Sequence, residues 1–148
     1  MINNMLKLSK RVEYALLAMQ DMAQHPESII SAKDVADRYS ISQSLVAKVL
    51  QQLVKDGVVR SYAGTHGGYA LAQDASHISI HRVIQAIEGH THGLVDCQDT
   101  VDHDCSAHST CTIREPLTVL QERIRETFRS MTVAELALPK NLIQLEVS

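Results

Sequence analysis

Aromatic residues are scarce: there is no tryptophan, one phenylalanine and four tyrosines among 148 residues. A core of Leu, Ile, Val, Met and Ala with so few rings points to a mainly helical protein, because sheets draw on aromatic and β-branched side chains. Long hydrophobic runs are missing as well. No stretch approaches the ~18 consecutive apolar residues of a membrane span. The first residues, MINNMLKLSKRVEYALL, are broken by Lys10, Arg11 and Glu13, unlike the apolar segment of a secretion signal. The chain therefore reads as cytoplasmic, with no membrane partner. Catalytic signatures are lacking too. There are no paired catalytic carboxylates and no nucleophile elbow, and the glycine-rich GTHGG of residues 64–68 lacks the Lys-Ser/Thr of a phosphate loop. The expectation is a protein that is not an enzyme.

An excess of positive charge, the usual footprint of nucleic-acid binding, is also absent: the net charge is −3. Its distribution is more informative. Residues 1–74 carry eight Lys/Arg against seven Asp/Glu, and residues 75–148 carry six against ten. The acid is concentrated in the second half, which leaves the first half near neutral and open to a DNA partner.

What is present is a succession of short amphipathic elements. Leu8, Val12, Leu16, Met19 and Ala23 recur at spacings of four and three, which predicts a helix starting near Ser9 and ended by His25-Pro26. Ser31 caps a short helix carrying Val35 and Ala36. After the tight connection Tyr39-Ser40-Ile41, Ser42 caps a third helix that Asp56-Gly57 stops. Two β-prone runs, 58–62 and 69–72, flank the glycine-rich tip 63–68, which predicts a hairpin. A helix over 81–88 is closed by Gly89, and Thr132 caps a last short one. This is the element order of a winged helix-turn-helix, which exposes its third helix for a DNA major groove.

Between the last two of these helices, from Pro116 onwards, Leu117, Leu120, Ile124, Phe128 and Met131 step by three and four. That is a seam of the coiled-coil kind, and it predicts a homodimer interface. The fold class expected is therefore mainly α with a small β-hairpin wing, a winged helix-turn-helix plus a long C-terminal dimerisation helix. The divisions are a DNA-binding domain over 6–89, a cysteine-rich loop over 90–112, the dimerisation helix and short following helix over 113–138, and a tail over 139–148.

Only three cysteines occur, Cys97, Cys105 and Cys111, all in one polar stretch spaced C-x7-C-x5-C. An odd number in a reducing compartment argues against a disulfide framework and for a metal or redox site. Three thiolates supply part of the four-ligand shell of zinc or an iron–sulfur cluster. Neither spacing is that of a zinc knuckle. The nearby His90, His92, His103 and His108 keep a Cys3His zinc site open, and unliganded thiols are a further reading.

The segment LSKRVEYAL at 8–16, the hairpin GTHGGYAL at 64–71 and the three-cysteine loop before a long helix together resemble the Rrf-two family of bacterial winged-helix transcription regulators, with its IscR-, NsrR- and RirA-like branches. The similarity spans roughly residues 6–137. The resemblance implies a repressor that binds double-stranded DNA at a palindromic operator as a homodimer. It also implies an iron–sulfur cluster on Cys97, Cys105 and Cys111 that sets operator affinity in response to iron or cluster status, oxygen or nitric oxide. The RirA-like spacing favours [4Fe–4S] over [2Fe–2S]. IscR-like members use a histidine three residues after the last cysteine as fourth ligand, and here that position is Arg114. Glu13 occupies the place of the carboxylate that NsrR-like members supply from the partner subunit. The alternative is a winged-helix regulator using the three cysteines as a thiol-redox or zinc switch.

On the DNA side, Ser42, Gln43, Ser44 and Lys48 fall on the N-terminal turns of the recognition helix, where Gln43 and Ser44 reach base edges and Lys48 reaches guanine or phosphate. The wing offers Arg60, Thr65, His66 and Gly67, and Arg11, Lys33 and Arg38 are expected phosphate contacts. Two positions depart from IscR-like members: Ala47 replaces a glutamate, and Ala63 replaces the arginine that enters the minor groove. Arg60 and His66 are the residues placed to compensate.

Overall fold

Five hydroxyl side chains decide where helices begin. A computed structural model describes residues 7–89, 106–107 and 109–139. Within them, Ser9 accepts from the Val12 amide, Ser31 from Asp34, Ser42 from Leu45, Ser79 from Arg82 and Thr132 from Glu135. Each satisfies a backbone donor that the first turn leaves without a partner. The helices that follow are α1 (Lys10–Gln24), α2 (Ala32–Tyr39), α3 (Gln43–Lys55), α4 (Ile80–Glu88) and α6 (Val133–Leu136). Reciprocal capping boxes, Ser31 with Asp34 and Thr132 with Glu135, reinforce the two shortest.

The long helix α5 (Arg114–Ser130) has no side-chain cap. It starts two residues before Pro116, whose missing N–H costs nothing in the first turn. Helix ends are as local as the starts: Gly57 and Gly89 take positive φ (+78° and +74°) just after α3 and α4.

Strands β1 (Val59–Tyr62) and β2 (Gly68–Leu71) pair antiparallel, with Val59 opposite Leu71, Arg60 opposite Ala70, Ser61 opposite Tyr69 and Tyr62 opposite Gly68. Both lie within a residue of the predicted runs. Val58 falls outside β1 because its amide still closes the end of α3 on the Leu53 carbonyl. Single bridges that the sequence pattern did not suggest complete the topology. Ile30 pairs with Tyr69 and so extends the wing by one residue pair, and Ser79 pairs with Thr132. A 3-10 turn over Ala75–His77 links wing to α4.

The core is aliphatic, as the composition requires. Val12, Ala15, Ala18, Met19 and Met22 of α1 meet Val46, Val49, Leu50 and Leu53 of α3, and Val83, Ala86 and Ile87 of α4 close the other side. The fold is a mainly helical winged helix-turn-helix followed by a long helix. No helix of the described residues is long and apolar enough to cross a membrane.

One acid lies inside this apolar packing. Asp21 is completely buried on α1. Its Oδ1 accepts from the Arg38 guanidinium of α2 and lies 3.2 Å from His25 Nδ1, while Oδ2 has no hydrogen-bond partner among the described residues. That ring nitrogen, as the Nδ1–H tautomer, donates to the Asp21 backbone carbonyl at 2.9 Å. The carboxylate thereby ties α1 to α2, and α2 packs directly on α3.

Two predictions follow from these packing details. Arg38→Ala strands a buried carboxylate and is expected to cost about 3–5 kcal/mol in urea unfolding. Asp21→Asn leaves a half-exposed guanidinium that water can reach, and is expected to cost less, about 1–3 kcal/mol. Equal losses, or the reverse order, would contradict the burial argument.

The second concerns His81 on α4, held below its ordinary value by burial and then by Arg129 and Arg125 of α5. The unfolded chain therefore binds a proton near pH 6.5 that the folded chain refuses, so stability is full above that pH and falls as pH drops below it. The lowered carboxyl of Glu122, held down chiefly by Arg129, acts only below about pH 4.5. His81→Gln is expected to flatten the stability profile between these two windows.

Candidate nucleic-acid interface and thiol site

Because Ser42 caps α3, the first turns of that helix project from the body of the domain. Gln43, Ser44 and Lys48 are exposed, while Ala47 is half-buried. The Ser42 hydroxyl is engaged twice, by the Leu45 amide and by Ser44 Oγ at 3.1 Å. Its first duty is therefore structural, which leaves Gln43 and Lys48 as the uncommitted side-chain donors here among the described residues. The Gln52 amide at the far end of α3 donates to the Ala86 carbonyl, and Arg82 pairs with Asp56. The helix is thus held against α4 from behind and presents its N-terminal face.

The wing tip is a tight backbone loop. The Gly67 amide donates to the Gly64 carbonyl at 3.0 Å, and Gly64 takes φ +113°. A Cβ on Gly67 would stand 2.3 Å from the Tyr62 carbonyl oxygen, and one on Gly68 would stand 2.7 Å from that of Ile30. Both are backbone clashes, so glycine is required for close approach rather than for flexibility. Thr65 and His66 are exposed at the tip.

The expected phosphate contacts divide into two groups. Lys33 pairs with Asp37 at 2.5 Å, which raises its pKa, and Arg38 is committed to Asp21. The Lys33 pair is exposed on both sides and so holds the charge only weakly. Arg11, Lys48 and Arg60 have no acidic partner among the described residues. Of the expected DNA contacts, those without an acidic partner among the described residues therefore lie on α1, α3 and β1.

Of the three cysteines, Cys97 and Cys105 lie outside the described residues, as do His90, His92, His103 and His108. Cys111 is a free, half-buried thiol three residues before α5 begins. Among the described residues no three His, Cys, Asp or Glu side chains gather as a metal site. Glu13, in the first turn of α1, pairs with Lys10 at 2.7 Å. The neighbouring Ser9 hydroxyl donates to Glu88 at the end of α4. The start of α1 therefore lies beside the point where the chain leaves α4 for the cysteine stretch.

The predicted seam on α5 splits in two. Phe128 and Met131 pack against the aliphatic core. Nearer the start, Leu120 is 46% exposed, and Ile113, on the same stripe, is 60% exposed. Leu117 and Ile124 are half-buried. The opposite face is an ion-pair ladder in which Glu122 meets Arg129 at 2.5 Å and Arg125 at 3.6 Å.

Two structural groups escaped the sequence reading. Asp21 is one, and its signal was an acid on the buried stripe of α1, four residues before a histidine. Gln20 is the other: its amide donates to the Leu136 carbonyl at 2.7 Å and joins α1 to α6. A cleft of about 490 Å3 between the end of α1, β2 and α6 is lined mostly by small apolar residues. Its one acid, Asp74, is spent capping the 3-10 turn through Ser76.

Gly68→Ala tests the wing's close packing. The methyl must displace the Ile30 backbone and the Ile29 side chain, so a loss of about 1–3 kcal/mol is expected, with faster amide hydrogen exchange at Ile30 and Tyr69. Unchanged exchange at those two amides would contradict the contact.

Comparison with known proteins bears on the whole chain. Residues 8–139 match the family model described as Rrf2, iron-dependent transcriptional regulator. The HTH-type transcriptional regulator IscR of Vibrio vulnificus is 32% identical over 141 residues, covering 95% of this chain and 82% of that one. IscR of Yersinia pestis is 30% identical over the same length, covering 95% and 84%. Among solved structures, CymR (YrzC), the global cysteine regulator of B. subtilis, superposes with a TM-score of 0.72 at 25% identity, covering 90% of this chain and 97% of that one. T. potens IscR superposes at 0.66 with 28% identity, covering 88% and 85%.

Proposed function

The chain belongs to the Rrf2 family of transcriptional regulators, and from that premise we propose that it is a homodimeric repressor whose grip on a palindromic operator is set by an iron–sulfur cluster on Cys97, Cys105 and Cys111. Regulation of transcription through DNA, not catalysis, is what the family membership establishes. The observation that carries the finer reading is the position of Cys111: a free, half-buried thiol at the foot of the helix that is bound to the DNA-reading head.

The donor set fits such a cluster. Three soft thiolates in one short stretch supply three of its four protein ligands. Glu13 is the candidate for the fourth, given by the partner subunit, since its exposed pairing with Lys10 is weak enough to exchange. When bound, the cluster supplies an iron corner with a non-thiolate ligand that responds to oxygen, nitric oxide or iron supply, and the [4Fe–4S] form is favoured over [2Fe–2S].

The rest of the mechanism lies in the chain. Cys111 leads directly into α5. The end of α5 is joined to the head by the Ile80 amide on the Met131 carbonyl and by the Val133 amide on the Ile78 carbonyl. Gln20 then links α6 to α1, against which α3 packs. A change at the cysteines is thus passed to the recognition helix through continuous hydrogen-bonded packing. The exposed stripe of Ile113, Leu117, Leu120 and Ile124 supports pairing of α5 with a second copy, which would place two recognition helices on two half-sites.

Anaerobic purification followed by an absorption spectrum and iron, sulfide and zinc analysis tests the cluster. A brown protein with matched iron and sulfide is expected, lost in Cys111→Ala and destabilised in Glu13→Ala. A colourless, sulfide-free protein after reconstitution would overturn the reading, with zinc or bare thiols then marking a zinc or redox switch. Leu120→Glu is expected to convert a dimer to a monomer in sedimentation equilibrium. An unaltered mass would place the dimer contact elsewhere.

A further inference from the structure

The wing of this chain carries its uncommitted charge on a strand face, not at its tip. On β1 the side chains of Arg60 and Tyr62 point to the same side, opposite Ala70 and Gly68 of β2. Neither cross-strand neighbour has a side chain long enough to cover them. Arg60 is exposed and has no acidic partner among the described residues, and Tyr62 is 44% exposed, one of the few large hydrophobic side chains left so open. With Ser61, both line an open groove that runs from Val54 and Gly57 at the end of α3 along β1. The tip that follows, Ala63 to Gly67, has no permanently charged side chain.

The support of this face is stiff. Val59 anchors β1 in the core, and Gly68 lies so close to the Ile30 carbonyl that the hairpin is pressed onto the segment leading into α2. Two residues along a strand advance about 6.6–6.8 Å, which is of the order of the separation between neighbouring phosphates on one DNA strand. A guanidinium is a bidentate donor to a phosphate, and a phenol hydroxyl is a neutral single donor.

We propose that the wing contacts duplex DNA through the outer face of β1, with Arg60 and Tyr62 donating to neighbouring phosphates, so that it adds backbone affinity and reads little sequence. This rests on the DNA-binding reading above and goes beyond it in naming Tyr62 and in assigning the wing to phosphates instead of bases.

The test uses the full-length protein and two fluorescent duplex probes: a random-sequence 40-base-pair pool, and the duplexes that the wild type enriches from that pool. Anisotropy titrations are run across a salt series. Arg60→Ala is expected to weaken both probes by the same factor and to reduce the slope of log K against log[salt] by about 0.9, the signature of one phosphate contact. Tyr62→Phe, which keeps the ring, is expected to weaken both several-fold with the slope unchanged. Thermal melting confirms that each variant is folded.

If both variants bind as the wild type does while Lys48→Ala binds less well, the wing assignment fails and the DNA-binding reading stands. If Arg60→Ala weakens only the enriched duplexes, Arg60 reads bases and the phosphate assignment is overturned. A wild type that enriches nothing and binds neither probe would remove the DNA-binding reading itself.

Discussion

Two backbone hydrogen bonds hold the long helix to the domain that reads DNA: the Ile80 amide to the Met131 carbonyl at 2.9 Å, and the Val133 amide to the Ile78 carbonyl at 2.8 Å. They form the single bridge between Ser79 and Thr132, and both residues also cap the helices that follow them. The same few atoms therefore end α5, start α6 and start α4. The junction adds to the packing of α5 on α4, where Arg125 and Arg129 stand beside His81. With it, the C-terminal end of α5 is fixed to the domain, where Phe128 and Met131 also pack against the aliphatic core.

The second constraint is the buried Asp21. Burying an unpaired carboxylate is costly, and here the cost is offset by Arg38 and His25. The pairing joins α1 to α2, and both of these helices pack on α3. Arg38 was expected to meet a phosphate. Its bond to Asp21 joins α2 to α1, while Arg11, Lys48 and Arg60 have no acidic partner among the described residues. A net charge of −3 is no obstacle to a DNA partner when these three side chains have no acidic partner among the described residues.

Much of this fold was legible in the sequence because its decisive features are local. Ser9, Ser31, Ser42 and Thr132 could be read as helix starts, and Gly57 and Gly89 as stops, since a cap involves residues only three or four apart. The glycine-rich wing was legible for the same reason. The bridges Ile30–Tyr69 and Ser79–Thr132 were not, because one residue pair has no periodicity to detect. Nor was the division of the α5 seam: its spacing is uniform, and only tertiary packing turns Phe128 and Met131 inward while Ile113 and Leu120 stay exposed. The three cysteines announced a metal or redox site by number and spacing. A fourth ligand was harder to read, since the candidate proposed above, Glu13, belongs to another element and would act from another subunit.

On the function proposed above, the state of the cysteine stretch governs the grip of α3 on DNA. The most direct test compares one preparation of the full-length protein, anaerobically loaded with iron and sulfide, with the same preparation after chelation, on the duplexes it enriches from a random pool. A change in affinity of tenfold or more between the two states is predicted, absent in Cys111→Ala. Equal affinities, with the iron and sulfide content verified in each state, would contradict the coupling through α5.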